Sequence, residues 1–322
     1  MIFKNKIVLV TGGAGFIGSH LVDRALAEGA EKVISFDNLI GGKLENHSHL
    51  KGEKRFQFVN GDIKDYDSIK PYVEQSDVIF SEAASKLVVS LKDPMIDIQT
   101  NVVGNVNILE ILRKSKNNPR IIHASTGSVF GSSEKPFKED DPKNPSTIYG
   151  ISKLAAERYY KFYHDNYGVK STVLRYFHVY GPRQDYSGEA GVISIFLSRV
   201  LAGKNPQVCK PGTQIRCFTY VQDDVEANML LYKNKRSIGQ EYNVASRARV
   251  SINELAKMIC DKYGAGAVKP EMIAPRMGEN LKPIPDTKKI EKLGFKESVT
   301  FEQGLDITKN WVEKDMKNRG EI

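Results

Sequence analysis

The sequence of 322 residues is poor in cysteine and contains no long apolar run. Its three cysteines, Cys209, Cys217 and Cys260, show no CxxC spacing, which argues against a disulfide framework and a zinc site. We therefore expect a reducing compartment and no metal. No apolar stretch approaches the ~20 residues that span a bilayer, so we expect no membrane partner. The N-terminus lacks a small-residue cleavage site, which predicts a first strand and a cytoplasmic location rather than a targeting segment.

An excess of basic over acidic residues gives the chain a formal net charge of +8. This charge raises nucleic acid as a partner. However, the basic residues are scattered and alternate with acids, as in KEDDPK and WVEKDMKNRGE. We therefore expect no nucleic-acid partner, since a basic cleft for a phosphorylated small molecule explains the charge at least as well.

Strand-like apolar runs alternate with helix-like periodic segments through the first half of the chain. The first helix-like segment places Ile17, Leu21 and Ala25 at successive i+4 positions. Further helices are predicted at 94–115 and 149–166. The strand-like runs are KIVLVTGG, KVISFD, FQFVNGD, DVIFSEAA, RIIHAST and STVLRYFHVYG. This alternation predicts an α/β fold with a doubly wound parallel sheet that is covered on both faces.

The second half is less regular, and we predict a second, smaller α/β domain there. The further predicted elements are helices near 190–203 and at 223–233, strands at RCFTYV and EYNVAS, a helix opened by a capping box at Ser251 and Glu254, and a proline-rich loop over 269–286. The predicted domains are 1–177, completed by a returning strand near 241–246, and 178–322.

A glycine-rich segment, TGGAGFIG, lies between the first predicted strand and the first predicted helix. Gly12, Gly15 and Gly18 permit a tight turn and a close approach of the backbone to a pyrophosphate. The N-terminus of the following helix adds unpaired N–H groups and a positive dipole. A glycine-rich turn without a ligand is the alternative, but the strand before it and the helix after it favour a dinucleotide site.

Acidic residues end the next two predicted strands. Asp37 follows the glycine-rich turn by about twenty residues, where a carboxylate accepts hydrogen bonds from both ribose hydroxyls and repels a 2′-phosphate. The pattern therefore predicts NAD rather than NADP. Asp62 and Ile63 end the third strand and are placed to meet the adenine, although a solvated strand-end acid explains Asp62 alone equally well.

Tyr149 and Lys153 lie four residues apart in YGISK, on one face of a predicted helix. On a surface helix this spacing carries no function by itself, but here Thr126 ends a preceding strand. A tyrosine is a poor base because its ordinary pKa is ~10. Two neighbouring cations, Lys153 and an oxidised nicotinamide, would have to supply about 4 kcal/mol to bring that pKa near neutrality. We predict that Tyr149 takes a proton from a sugar hydroxyl, oriented by Thr126, as hydride leaves for NAD.

In this order the motifs resemble those of an extended short-chain dehydrogenase/reductase of the NAD-dependent epimerase/dehydratase family, close to the UDP-glucose 4-epimerases. The matching stretches cover nearly the whole chain: TGGAGFIGSH, FDNL, GDI, TNVVGNVNILE, STGSVFG, YGISK, LRYFHVYGPRQ, GVISIF, RCFTYVQDD, YNVAS and PRMGE. The resemblance implies a Rossmann-like NAD domain, a C-terminal domain that binds a nucleotide-sugar, and usually a homodimer built on a helix bundle.

The resemblance also implies two sets of contacts. The NAD contacts would be Gly12, Gly15, Phe16, Ile17, Gly18, Asp37, Asn38, Asp62, Ile63, Asn101, Tyr149, Lys153 and Phe177. The substrate contacts would be Thr126, His178, Arg216, Arg276 and Glu279. Arg216 and Arg276 suit this role because guanidinium forks bind phosphate in a bidentate manner, although a surface salt bridge would explain either residue alone.

The two residues after Thr126 bear on the reaction. The 4,6-dehydratases of the family have Asp-Glu there and the related decarboxylases keep the Glu, whereas this chain has Gly127 and Ser128. Neither is a general acid or base near neutral pH, so nothing at these positions drives elimination. Small residues are also expected to leave room for a keto-sugar to turn over. We predict a UDP-sugar 4-epimerase that interconverts UDP-glucose and UDP-galactose.

Several departures from the family leave the substrate open. His178 stands where Asn is usual, with a pH dependence as the expected consequence. Cys217 replaces an Asp, and Glu82 stands where a small apolar residue is typical. Pro283 occupies a position that helps to decide whether an N-acetylated sugar fits. The alternatives are an epimerase of UDP-GlcNAc/GalNAc or UDP-glucuronate, an NAD-dependent nucleotide-sugar reductase, and a non-catalytic NAD-binding regulator.

Overall fold

The computed structural model describes residues 1–133, 135–187, 191–275 and 283–322. Its strands are β1 (Ile7–Thr11), β2 (Lys32–Asp37), β3 (Phe56–Asn60), β4 (Val78–Ser81), β5 (Arg120–Thr126), β6 (Ser171–Tyr176), β7 (Val179–Tyr180), β8 (Gln207–Cys209), β9 (Ile215–Cys217), β10 (Thr219–Tyr220), β11 (Glu241–Val244), β12 (Arg249–Ser251) and β13 (Glu271–Ile273). Its α-helices are α1 (Phe16–Ala27), α2 (Tyr66–Gln75), α3 (Leu87–Lys92), α4 (Pro94–Ile98), α5 (Gly104–Lys114), α6 (Ile148–Tyr167), α7 (Val192–Leu201), α8 (Val221–Lys233), α9 (Ile252–Tyr263), α10 (Lys288–Glu291) and α11 (Phe301–Asn318).

Seven parallel strands form the central sheet in the order β11-β6-β5-β4-β1-β2-β3. The chain order reverses between β1 and β4, so the connections after these two strands leave in opposite directions. In open α/β sheets a ligand crevice forms outside the carboxyl ends of the strands at such a switch point. The predicted α/β fold with a doubly wound parallel sheet is confirmed.

Both faces of this sheet are covered, because side chains alternate along each buried strand. Val8 and Val10 of β1 pack in one core cluster with residues of α1 and α8. Leu9, between them, packs in a second cluster with residues of α2, α5 and α6. This explains why the strands read as continuous apolar runs.

A separate core cluster lies in the second half of the chain. Helices α7, α9 and α11 contribute most of its buried residues, among them Phe196, Ile259 and Val312. The predicted capping box at Ser251 and Glu254 is confirmed at the start of α9. None of the helices in the described part of the chain is long and apolar enough to cross a membrane.

Three predicted elements differ in detail. The strand predicted over STVLRYFHVYG ends at Tyr176 and resumes as β7, because His178 has a left-handed backbone with φ +47°. RCFTYV divides at Phe218 into β9 and β10. The helix predicted over 94–115 contains a π-helical turn at Gln99–Val103 between α4 and α5.

The predicted returning strand is β11, which pairs with β6 at the edge of the central sheet. Helix α8 also joins the core of that sheet, although it lies within the predicted second domain. The division into two domains at residue 177 stays a prediction.

Candidate active site

The glycine-rich turn joins β1 to α1 and leaves no room for a side chain at Gly12 or Gly18. Gly12 has φ +66°, and a Cβ there would lie 2.7 Å from the backbone nitrogen of Ala83. A Cβ at Gly18 would lie 2.1 Å from the carbonyl oxygen of Gly12. Gly15 is the N-cap of α1 and supplies no side-chain cap. The first N–H groups of α1 therefore have no side-chain cap, and the compact backbone turn beside them suits the close approach of a diphosphate.

Asp37 is nearly buried beneath this turn. One carboxylate oxygen accepts a hydrogen bond from Ala14 N at 3.0 Å and the other accepts one from Leu39 N at 2.8 Å. Burial raises the pKa of Asp37, and these backbone hydrogen bonds oppose the rise. Since each carboxylate oxygen has two lone pairs, Asp37 can shape the turn and still accept from ribose hydroxyls.

The predicted adenine-side residues lie next to one another. Asn38 donates to the carboxylate of Asp62 at 2.9 Å, which ties the ends of β2 and β3 together. Ile63 is buried, and a Cβ on Gly104 would lie 2.5 Å from its side chain. The contacts of Asn38, Asp62 and Ile63 with NAD stay predictions.

The three predicted catalytic residues are brought together at the carboxyl end of β5. Thr126 ends that strand, and Tyr149 lies in the first turn of α6. The hydroxyl of Thr126 lies close enough to the phenol of Tyr149 to lower its pKa. One turn further along α6, the ammonium of Lys153 donates to the carbonyl oxygen of Ala124 at 2.5 Å. A phenol, a hydroxyl and an ammonium thus occupy one cluster.

The protonation of this cluster differs from the expectation. Burial is the main cause that raises the pKa of Tyr149 to about 12, with smaller contributions from the charges of Asp97 and Glu82, whereas Thr126 acts to lower it. Burial also lowers the pKa of Lys153 to about 8. The polypeptide alone therefore does not acidify the phenol, and bound NAD would add the positive charge of its oxidised nicotinamide.

Gly127 is small for a reason that the sequence does not show. A Cβ there would lie 2.2 Å from the ring of Phe177, which is buried. The space beside Gly127 is thus filled by the ring of Phe177, and the expectation that the two small residues after Thr126 leave room for a turning sugar stays a prediction. An Asp at position 127, as in the dehydratases, would require Phe177 to move.

A buried ion pair behind the site was missed from the sequence. Arg175 donates to both oxygens of Glu157, at 2.8 and 2.7 Å. Ser125 donates to the same carboxylate at 2.5 Å, so only Thr126 of the two adjacent hydroxyls joins the catalytic cluster. The sequence signal for it was the position of Glu157 four residues after Lys153, which places both side chains on one face of α6.

Asn101 is buried in the π-helical turn and supports the site from within. Both of its amide hydrogens are used, toward Asp97 at 2.9 Å and Ser152 at 3.0 Å. Its oxygen accepts from Ser85 N at 2.9 Å. These bonds fix α6 at the residue before Lys153, whereas the contact of Asn101 with NAD stays a prediction.

On the substrate side, the structure brings His178 and Arg216 together. Desolvation by the surrounding protein and the charge of Arg216 lower the pKa of His178 to about 3. This shift favours a neutral imidazole near pH 7, and the pH dependence expected from His178 stays a prediction. Arg276 and Glu279 lie outside the described residues.

The model of the NAD dependent epimerase/dehydratase family matches residues 8–245. The chain belongs to this family. A putative UDP-glucose 4-epimerase of Methanocaldococcus jannaschii is 39% identical over 314 residues, covering 96% of this chain and 99% of the relative. A UDP-N-acetyl-alpha-D-glucosaminuronate decarboxylase of Bacillus cytotoxicus is 36% identical, covering 95% and 97%. The crystal structure of UDP-glucose 4-epimerase from Thermotoga maritima with UDP-glucose has a TM-score of 0.89 and 34% identity, covering 96% and 99%.

Membership in the NAD-dependent epimerase/dehydratase family confirms the predicted enzyme class and the predicted cofactor, NAD. The residues present fit that cofactor. The turn at Gly12 and Gly18 excludes any Cβ, as a backbone cradle for a diphosphate requires, and Asp37 has the charge that favours a free ribose 2′-hydroxyl. Bound NAD supplies the hydride acceptor and donor.

Proposed function

We propose that the protein is a UDP-sugar 4-epimerase that interconverts UDP-glucose and UDP-galactose through a 4-keto intermediate, with NAD tightly bound and unchanged overall. The observation that carries this proposal is the cluster of Thr126, Tyr149 and Lys153 at the end of β5, with Gly127 and Ser128 beside it. This set can move one proton at an alcohol, but it holds no acid or base at the two positions after Thr126.

The proposed roles follow from the contacts. Tyr149 takes the proton from the sugar O4 hydroxyl and later returns it, and Thr126, whose hydroxyl lies beside the phenol, orients the sugar hydroxyl. Lys153 supplies positive charge one turn along the helix. Return of the hydride to the opposite face of C4 inverts that centre and leaves no net oxidation.

The diphosphate of the substrate is assigned to the second half of the chain. Arg216 is nearly buried on β9, and its charge acts on His178. A buried guanidinium suits a diphosphate because it keeps its charge and offers several parallel donors. With His178 neutral, the imidazole contributes a hydrogen bond rather than a charge.

Decarboxylation is the competing reaction because three of the relatives are named decarboxylases. The decarboxylases that the sequence resembles keep a Glu at the second position after the threonine. Here that residue is Ser128, whose hydroxyl accepts a hydrogen bond from Thr126 at 3.3 Å. A serine is not an acid near neutral pH, so the site favours epimerisation.

The test is an incubation of the purified protein, without added NAD, with UDP-glucose, UDP-N-acetylglucosamine and UDP-glucuronate in parallel, with chromatography of the products. We expect UDP-galactose from UDP-glucose. Product from one of the other two sugars alone would replace the proposed substrate by that sugar. Stoichiometric release of NADH, or loss of carbon dioxide from UDP-glucuronate, would overturn epimerisation itself.

We also propose a homodimer. Large apolar side chains are exposed on the neighbouring helices α4 and α6 and on the π-helical turn that follows α4, namely Met95, Ile98, Val103, Ile151, Tyr159 and Phe162. Single exposed apolar residues are normal, but a set on adjacent helices is typical of an interface. Sedimentation velocity is expected to give twice the chain mass of 36.1 kDa. A monomer at micromolar concentration would contradict this proposal.

A further inference from the structure

A buried ion pair joins helix α6 to the central sheet behind the catalytic cluster of Thr126, Tyr149 and Lys153. Arg175 on β6 is 0% exposed and Glu157 on α6 is 1% exposed, and the guanidinium donates to both carboxylate oxygens, at 2.8 and 2.7 Å. Apolar side chains of similar volume often stabilise a core at least as well as such a pair, because the burial of two charges is costly. Stability alone therefore does not explain this pair.

Ser125 and Arg175 are direct neighbours across the sheet. Their Cα atoms are partners in the register of β5 and β6, so their side chains lie on the same face of the sheet. Oε1 of Glu157 accepts a hydrogen bond from Nε of Arg175 at 2.8 Å and another from the hydroxyl of Ser125 at 2.5 Å. One carboxylate on α6 thus binds a residue from each of two adjacent strands, as the two lone pairs of its oxygen allow.

Arg175 is held in place by three further contacts. Its guanidinium binds the carboxylate of Glu241 on β11 and the carbonyl oxygen of Glu139 at 3.2 Å, and its Cζ lies 5.0 Å from the centroid of the Phe130 ring. Strands β11, β6 and β5 are consecutive in the central sheet. Glu157 therefore ties α6 to a point that the sheet itself fixes.

Three successive turns of α6 meet three consecutive residues at the end of β5. Tyr149 lies beside Thr126, and the ammonium of Lys153 donates to the carbonyl oxygen of Ala124 at 2.5 Å. One turn later, Glu157 binds the serine that lies between these two strand residues. A movement of α6 along β5 would therefore change the surroundings of the phenol and of the ammonium together.

We propose that Glu157 is a positioning residue: by binding Ser125 and Arg175 together, it fixes where α6 lies along β5 and thereby sets the geometry of the catalytic cluster. The consequence for turnover rests on the proposed function, because this geometry affects the rate only if the cluster moves the proton. The attachment of α6 to β5 through Glu157 can be measured without turnover.

The first experiment measures kcat and KM for Ser125→Ala, with Ser171→Ala as the matched control. Both serines are 3% exposed, and Ser171 donates to the carbonyl oxygen of Tyr160 on the same helix at 3.3 Å, but from the amino end of β6. We expect Ser125→Ala to lower kcat by about tenfold with KM and bound NAD unchanged, and Ser171→Ala to keep kcat. An unchanged kcat in Ser125→Ala, or an equal fall in both variants, would overturn the proposal.

The second experiment is a double-mutant cycle on kcat with Glu157→Gln, Ser125→Ala and both together. The amide keeps the shape of the side chain, and Arg175 keeps Glu241 as a counter-charge, so we expect the variant to fold. Glu157→Gln should lower kcat by about 10²-fold, and Ser125→Ala should then cost little more, because Ser125 acts through Glu157. Full multiplication of the two single effects would contradict the proposal. If Glu157→Gln does not fold, the comparison of Ser125→Ala with Ser171→Ala still decides.

The third experiment does not depend on turnover. Crystal structures of the NAD-bound protein, with and without Glu157→Gln, give the distance from Nζ of Lys153 to the carbonyl oxygen of Ala124. We expect this distance to exceed the hydrogen-bond range of about 3.2 Å in the variant, and an unchanged contact would overturn the proposal. If the unaltered protein turns over none of the nucleotide-sugars, the proposed function fails, whereas this structural comparison still tests the role of Glu157.

Discussion

The glycine-rich turn and the catalytic cluster lie at the same edge of the sheet but are built from different materials. The turn is made of backbone: side chains are excluded at Gly12 and Gly18 by contacts of 2.7 and 2.1 Å. The cluster is made of ionisable side chains, with Tyr149 at a pKa of about 12 and Lys153 at about 8. Steric fit therefore governs the first region, and burial of charge governs the second.

The largest effect is expected in the catalytic cluster, from Tyr149→Phe. This change removes one oxygen and the only proposed proton acceptor, so kcat should fall by about 10³-fold. Bound NAD and the KM for the nucleotide-sugar should be retained, because the ring and the helix remain. Tyr167→Phe, at the exposed end of the same helix, serves as the control and should leave kcat unchanged. Near-normal turnover by Tyr149→Phe would remove the cluster from the mechanism.

The second prediction tests whether a titratable residue beside the glycine-rich turn contributes to the pH dependence of stability. His47 is buried beside it and shares a hydrogen bond with Ser35 at 3.0 Å, and burial lowers its pKa to about 4. The unfolded chain then binds one more proton between pH 4 and the ordinary value of 6.5, so stability is full above pH 6.5 and falls as the pH is lowered toward 4. Its share of this loss is about 3 kcal/mol.

His47→Gln should flatten the pH dependence of the free energy of unfolding in that interval, whatever its effect on stability at pH 7. The measurement is urea unfolding at several pH values. His49→Gln, at an exposed position two residues further on, provides the comparison and should leave most of the slope in place. An unchanged slope in His47→Gln would show that the turn region does not depend on protonation there.

The third prediction addresses steric fit in the turn. In Gly18→Ala the added Cβ meets backbone atoms that cannot rotate away, so we expect a loss of about 2 kcal/mol of stability together with weakened retention of NAD. Gly168→Ala is the matched control: Gly168 has φ +68° but open space around it. It should cost stability through backbone strain alone and keep the cofactor. Equal NAD content in the two variants would show that the steric fit at Gly18 does not contribute to NAD binding.

The same contrast explains what could be predicted from the sequence. Gly12, Gly18 and Asp37 act locally, within one strand-turn-helix unit, so their spacing carried the information. Ser125 and Thr126 both carry a hydroxyl, so the sequence does not distinguish them. Only the packing of β5 against α6 brings Ser125 to Glu157. Gly127 is fixed by Phe177, fifty residues away, which no local pattern reveals. The charge state of the cluster likewise depends on burial, which emerges only after the chain has folded.

The smallest effect is expected at His178, which lies next to Arg216 on the side of the site assigned to the substrate diphosphate. His178 has φ +47°, a conformation that Asn adopts more easily, so His178→Asn should raise the free energy of unfolding by on the order of 0.5 kcal/mol. Because the pKa of His178 is lowered to about 3, the imidazole is neutral from pH 6 to 8 and the variant should keep the shape of the kcat/KM profile there. His178→Ala, which removes the titration without easing the backbone, should show the same profile but no gain in stability. If a limb of the kcat/KM profile moves between pH 6 and 8 in both variants, His178 titrates in that range. Its protonation would then affect turnover on the diphosphate side of the site, as protonation does in the catalytic cluster.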